Sequence, residues 1–134
     1  LGFLILRKPF YFMPMILKKP ALYTDLYELT MAQGYFLSGR HQQTANFDYF
    51  FRSLPFDGGY VVFAGLGDLL EIIRNFRFHP EELEYLRSKG FKKEFLSFLE
   101  DFEFRGSIYS VREGEIVFPN EPILRVEGTI VGTA

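Results

Sequence analysis

The spacing of apolar and polar residues changes character several times along the chain. Over residues 25–38, DLYELTMAQGYFLS, the pattern is helical, with Thr24 placed as N-cap, Asp25 in the first turn where the helix dipole favours an anion, and Gly39 as the stop. Its apolar positions do not keep to one stripe. Leu26, Leu29, Tyr35 and Phe36 lie on one side, while Tyr27 and Met31, four residues apart, continue toward Gly34 on another. Such a helix is expected to pack against two bodies at once. Ala45 to Arg52 then alternates, with Ala45, Phe47, Tyr49 and Phe51 on one face and Asn46, Asp48, Phe50 and Arg52 on the other, which predicts a strand with one largely polar face. Pro55, Asp57, Gly58 and Gly59 read as a turn and Tyr60 to Ala64 as a second strand. Leu66, Leu69, Leu70 and Ile73 mark the buried side of a following helix.

Pro80 suits the first position of another helix, with Glu81 and Glu82 in its first turn and Gly90 closing it. Lys92 to Asp101 predicts a third, with Phe95, Phe98, Leu99 and Phe102 facing inward. From Phe104 onward the period shortens. Ser107 to Val111, Glu115 to Phe118 and Ile123 to Glu127 read as strands, broken by Glu113-Gly114, Pro119-Asn120 and Gly128. The expected fold class is α+β, two β portions flanking a helical middle. Neither an internal repeat nor a Pro/Gly/Ser linker divides it, and the ending Ile130 to Ala134 carries no stop signal, so a cut chain is expected there.

Composition narrows the function classes. The 134 residues are 48% hydrophobic and 24% charged, enough apolar matter for one packed domain and unlike a disordered chain. Seventeen Phe and eight Tyr, with no Trp, predict a core built on phenyl packing. Fifteen Lys and Arg against seventeen Asp and Glu leave a net charge of −2, without the basic excess of a nucleic-acid binder. The absence of cysteine removes disulfides, zinc-finger spacings and thiol nucleophiles, and fits a reducing cytoplasm.

Residues 1–20, LGFLILRKPFYFMPMILKKP, are apolar but interrupted by Arg7, Lys8, Pro9 and Pro14. The longest uncharged apolar stretch, Phe10 to Leu17, falls short of half the ~20 residues of a membrane span. A signal peptide would place its charges before the apolar run, whereas here they sit within it and again at Lys18-Lys19. The segment is expected to be an extension, flexible or upstream of the natural start, with the domain occupying 21–134.

Local motifs give little chemistry of their own. Gly65-Leu66-Gly67 places G-x-G between a strand and a helix, but Leu70 stands at the third glycine position and no acidic second strand follows, leaving a tight turn or a degenerate nucleotide site. His41 and His79 each lack a second ligand at metal spacing, and His79 suits the start of the helix at Pro80. Glu113 and Glu115 could form a carboxylate pair but read as a solvated turn. Neither G-x-S-x-G nor a P-loop occurs, so a nucleophile, base and oxyanion constellation cannot be completed within the chain. Tyr27 offers an aromatic face near the free N–H groups of a helix start, and Arg52 a guanidinium that can fork onto phosphate or carboxylate. The plain alternatives are core packing for Tyr27 and a surface ion pair for Arg52.

The strings TDLYELTMAQGY (24–35), FDYFFR (47–52), PFDGGY (55–60), FAGL (63–66), Glu113-Gly114 and FPNEPILRVEG (118–128) occur in order over residues 22 to 131. Together they resemble nicotinate phosphoribosyltransferase. The resemblance implies the N-terminal α+β domain of a type II phosphoribosyltransferase, lacking the α/β barrel that follows in the family. It implies NAD salvage chemistry: nicotinate and phosphoribosyl pyrophosphate give nicotinate mononucleotide and pyrophosphate, with ATP hydrolysis coupled. ATP and Mg2+ would belong to the complete enzyme and not to this domain. The tyrosine matching Tyr27 contacts the pyridine ring in a site shared between two subunits of a homodimer, and Asp25 and Arg52 line the site by similarity to sister nicotinamide enzymes. The family's phosphorylated histidine, substrate-carboxylate arginine and phosphoribosyl-binding loops lie beyond position 134, so this chain alone is expected to be inactive, in a cytoplasmic setting without nucleic-acid or membrane partners. The groups that tell nicotinate from nicotinamide or quinolinate lie in that same absent part. A reading from another class is a non-catalytic domain that dimerises or binds a partner through its Phe-rich surface.

Overall fold

The computed structural model describes residues 20–54 and 58–133. The expectation for residues 1–19, and the Pro55 and Asp57 part of the turn, lie outside them. A 3-10 turn at Pro20–Leu22 leads into α1 (Leu26–Leu37), followed by β1 (Thr44–Tyr49), β2 (Val61–Val62), α2 (Leu66–Arg74), α3 (Pro80–Ser88), α4 (Lys93–Glu100), β3 (Gly106–Ser110), β4 (Ile116–Val117), β5 (Leu124–Thr129) and a single turn, α5 (Ile130–Thr133). The α+β architecture with a helical middle is the one expected.

Two antiparallel sheets organise the strands. β5 is central between β1 and β3, while β2 pairs with β4 in a separate two-stranded sheet. In the larger sheet Val126 lies between its partners Phe47 and Ile108, and Arg125 between Asp48 and Tyr109, so the alternation in the sequence becomes one apolar and one polar face. β1 ends at Tyr49 rather than reaching Arg52. Beyond it the pairing continues irregularly: the Ile123 N–H donates to the Tyr49 carbonyl at 3.0 Å and the Asn120 N–H to the Phe51 carbonyl at 2.8 Å. Asn120 has φ 64°, a left-handed turn conformation that asparagine tolerates and that breaks a regular ladder.

The core lies among the helices. Leu86, Phe95 and Leu99 are fully buried, and Phe95 is flanked by Phe36, Phe91 and Phe98 with ring centroids 5.6, 6.1 and 6.2 Å away. Phe98 and Phe102 are half-buried members of the same aromatic row. The phenyl-based core is therefore as expected. α2 is not: none of its residues is buried, Leu66, Leu69 and Ile73 are half-exposed and Leu70 is exposed. Its apolar stripe is real, but the described chain does not cover it.

α1 is held on one side only. Leu29 and Ala32 are buried, Phe36 packs on Phe95, and the Gln33 side-chain oxygen accepts the Lys92 N–H at 2.6 Å, bonding α1 to the residue that caps α4. Gly39, at φ 72°, ends the helix in the left-handed conformation that costs glycine nothing, and the Arg40 N–H closes back on the Tyr35 carbonyl at 2.8 Å. Leu26, Tyr27 and Met31 are left exposed.

Candidate functional site

The start of α1 carries the first two candidates. Asp25, not Thr24, is the N-cap residue; its backbone is extended at φ −71° and ψ 137° and its side chain makes no cap hydrogen bond. The Thr24 hydroxyl instead donates to the Glu28 carboxylate. The reason is geometric: with the helix beginning at Leu26, Thr24 stands one residue too early to meet the first free N–H groups. Asp25 thus has an exposed carboxylate beside the positive end of the helix. Tyr27, in the first turn, is 59% exposed, so its ring is not core packing in this chain. The Thr30 hydroxyl donates to the Tyr27 carbonyl at 2.8 Å and reinforces that turn.

Arg52 follows the irregular extension of β1 and is exposed, with no ion pair among the described residues. Among the described residues, no hydrogen bond or ion pair joins it to Asp25 or Tyr27. These three side chains therefore form two surface elements, a helix start and a strand exit, rather than a closed constellation. A cleft of about 320 Å³ lies elsewhere: apolar residues of α1, α4, β5 and the 76–78 connection line it, and neither Asp25, Tyr27 nor Arg52 does.

The G-x-G turn has an occupant that sequence reasoning missed. Glu113, 48 residues away, accepts the Gly65 N–H at 2.8 Å and the Gly67 N–H at 3.3 Å. Hydrogen bonds from the Gly65, Gly67 and Leu66 peptides hold its carboxyl below the usual carboxylate range, a small desolvation penalty opposing them. Gly65 adopts φ 104°, which presents these N–H groups together and which a side chain would resist. The first turn of α2 is thus capped by the protein's own anion, and a nucleotide phosphate there would have to displace it. Glu113 is not merely a solvated turn residue; only the adjacent Gly114, at φ 86°, hinted locally at a shaped loop.

On the polar sheet face Arg125 forks onto Asp48, Nε to Oδ1 at 2.7 Å and one terminal nitrogen to Oδ2 at 2.9 Å. That hydrogen bonding, aided by the opposite charge and opposed by desolvation, lowers the Asp48 carboxyl and raises the Arg125 guanidinium. The two histidines are structural in setting. His41 lies 5.0 Å from the Phe36 ring and 5.4 Å from the Phe98 ring, and His79 is the N-cap of α3, its N–H donating to Glu82 Oε2 at 2.8 Å. Among the described residues there is no group of three or more His, Cys, Asp or Glu side chains that could hold a metal ion. Nor is any described helix long and apolar enough to cross a membrane.

Residues 22–134 match the family model described as the nicotinate phosphoribosyltransferase (NAPRTase) N-terminal domain. The chain belongs to the nicotinate phosphoribosyltransferase family. It is 47% identical over 112 residues to the nicotinate phosphoribosyltransferase of Bacillus subtilis, covering 83% of this chain and 23% of that protein. A Mycobacterium tuberculosis nicotinate phosphoribosyltransferase is 45% identical over 112 residues, with 83% and 24% covered. The crystal structure of human nicotinic acid phosphoribosyltransferase superposes with a TM-score of 0.72 at 34% identity, over 81% of this chain and 22% of that one. The chain thus spans about a quarter of the length of these relatives. Its fold is that of the family's N-terminal domain.

Proposed function

We propose that this domain supplies one wall of a nicotinate phosphoribosyltransferase site and that the remaining walls come from the rest of the parent enzyme. The reaction is glycosyl transfer: the pyridine nitrogen of nicotinate bonds to the anomeric carbon of phosphoribosyl pyrophosphate, and the bond to pyrophosphate breaks with its electron pair leaving on the phosphate oxygen. The transition state is oxocarbenium-like, so rate enhancement comes from alignment of the nitrogen and from stabilising the departing anion. Tyr27 stacks on the pyridine ring, Arg52 meets phosphate or carboxylate oxygens, and Asp25 lines the site with its exposed carboxylate at the helix start. The observation that carries this reading is Tyr27 itself, a large ring 59% exposed on a helix face that its own domain leaves uncovered. The same uncovered face supports a homodimer in which the site is shared between subunits.

ATP hydrolysis and Mg2+ belong to the complete enzyme in this proposal. The residues described here do not fit either group: Glu113 occupies the only glycine-rich helix start that the sequence suggested, and a metal-ligating cluster is lacking among the described residues. The domain alone is inactive, and the parent enzyme works in the cytoplasm.

The test is nicotinate mononucleotide formation after the 134-residue chain is combined with the remaining body of the enzyme. Tyr27→Ala is expected to raise KM for nicotinate by roughly 2- to 13-fold, the equivalent of the ~0.5–1.5 kcal/mol typical of an aromatic pair, with Tyr27→Phe close to the parent protein. An unchanged KM in Tyr27→Ala refutes ring stacking. Turnover by the unaided chain refutes the composite site.

A further inference from the structure

β3 forms one edge of the larger sheet and pairs with β5 alone. The Val111 N–H donates to the Ile123 carbonyl at 3.1 Å on the β5 side. Main-chain groups alternate sides along a strand, so those of Ser107 and Tyr109 turn inward to β5 and those of Gly106, Ile108 and Ser110 turn outward. Among the described residues no other main-chain group pairs with that outward set. An open edge of this kind templates a further strand, and proteins ordinarily blunt it with proline or charged side chains. The strand reads Gly-Ser-Ile-Tyr-Ser and carries neither. β1, at the opposite edge, carries Asp48 and passes into irregular pairing beyond Tyr49.

We propose that β3 pairs antiparallel with β3 of a second copy of this chain, about a two-fold axis at Ile108, joining the two larger sheets into one. The register of the strand selects this occupant. In that pairing Ile108 exchanges both main-chain bonds with its counterpart and Gly106 does so with the second copy's Ser110, so every outward group of the strand is satisfied. On the apolar face the half-buried Ile108 side chains meet across the axis. On the polar face Tyr109, 56% exposed, lies opposite the second copy's Ser107, whose small side chain leaves the ring room. The second copy's Glu127, register partner of its Ser107, then stands two strand spacings of ~4.8 Å from Tyr109, and the two long side chains close that gap, phenol to carboxylate. The groove of about 460 Å³ over this face reaches the edge through Tyr109 and Ser110, so the pairing also makes the two polar faces continuous. A five-residue edge falls short of the ~800 Å² per partner of a standard stable interface, so the association depends on concentration. It uses neither Asp25, Tyr27 nor Arg52 and stands or falls independently of the enzymatic reading.

Sedimentation of the full 134-residue chain from micromolar to near-millimolar concentration should show the mass rising from 15.7 kDa toward twice that value. Over the same range amide exchange should slow several-fold at Ile108 and Ser110, while Ser107 and Tyr109, already bonded to β5, stay protected throughout. Ile108→Lys and Ile108→Glu each set like charges face to face at the axis and should remain monomeric, and an equimolar mixture of the two should recover the dimer. Far-UV circular dichroism reports whether each retains the fold. Where a charge variant does not, Ile108→Pro, which removes an outward N–H and no bond to β5, takes its place and should be monomeric. Met31→Asp, on the exposed face of α1, should associate as the parent chain does. A parent chain that is monomeric at every concentration overturns the self-pairing, as does a mixture of folded charge variants that stays monomeric. Association lost in Met31→Asp but kept in Ile108→Lys also overturns it, and assigns the contact to α1 and the shared-site dimer instead.

Discussion

Phe95 is where core packing and the placement of Tyr27 meet. Its side chain is fully buried, and its ring touches the aromatic neighbours that fasten α1 to α4, with Phe36 of α1 5.6 Å away. Replacing it with alanine removes a whole ring from a close-packed site that cannot collapse without moving a helix, a cost of ~3–5 kcal/mol. Against the ~5–15 kcal/mol total stability of a domain this is a large fraction. With a urea slope of ~3 kcal/mol/M or less, the unfolding midpoint of Phe95→Ala should fall by at least ~1 M with the slope unchanged. Tyr85→Ala, at a surface position 48% exposed, is the control and should move the midpoint little. If the two substitutions shift the midpoint equally, the phenylalanine row is not what holds the helices together. The positioning of Tyr27 by that row would then be wrong as well.

Further outcomes follow from individual contacts. Because the folded-state carboxyl of Glu113 is lowered, its contribution to stability is complete above the unfolded pKa of ~4.3 and is lost as pH falls through the folded value. Glu113→Gln should therefore melt lower at neutral pH, with the gap to the parent protein closing in acid; parallel Tm-against-pH curves would refute the stabilising role of the Glu113 cap on α2. Gly106→Ala should be severely destabilising, because a Cβ there collides with the Glu127 carbonyl and lies 2.9 Å from the Phe104 ring, and loss of β3–β5 amide protection in hydrogen exchange is the measurement. Gln33→Ala leaves the Lys92 N–H without its acceptor and should cost ~0.5–1.5 kcal/mol in a urea titration; no measurable change would mean that water replaces the bond fully.

Local periodicity and the punctuating residues determined the elements: a helix ending before Gly39, a helix starting at Pro80, the inward set Phe95, Phe98, Leu99 and Phe102, and the three late β runs. Those features depend on neighbours within a few residues, where backbone sterics and side-chain spacing act directly. The strings shared with nicotinate phosphoribosyltransferase likewise made the family legible without coordinates. Tertiary structure alone decided that β5 lies between β1 and β3, that β2 and β4 stand apart, that Tyr27 projects outward while Leu29 is buried, and that Glu113 reaches Gly65 across 48 residues. Each of these is a choice among partners distant in the chain, settled by which surfaces fit after loop closure, and a one-dimensional pattern carries no record of that fit.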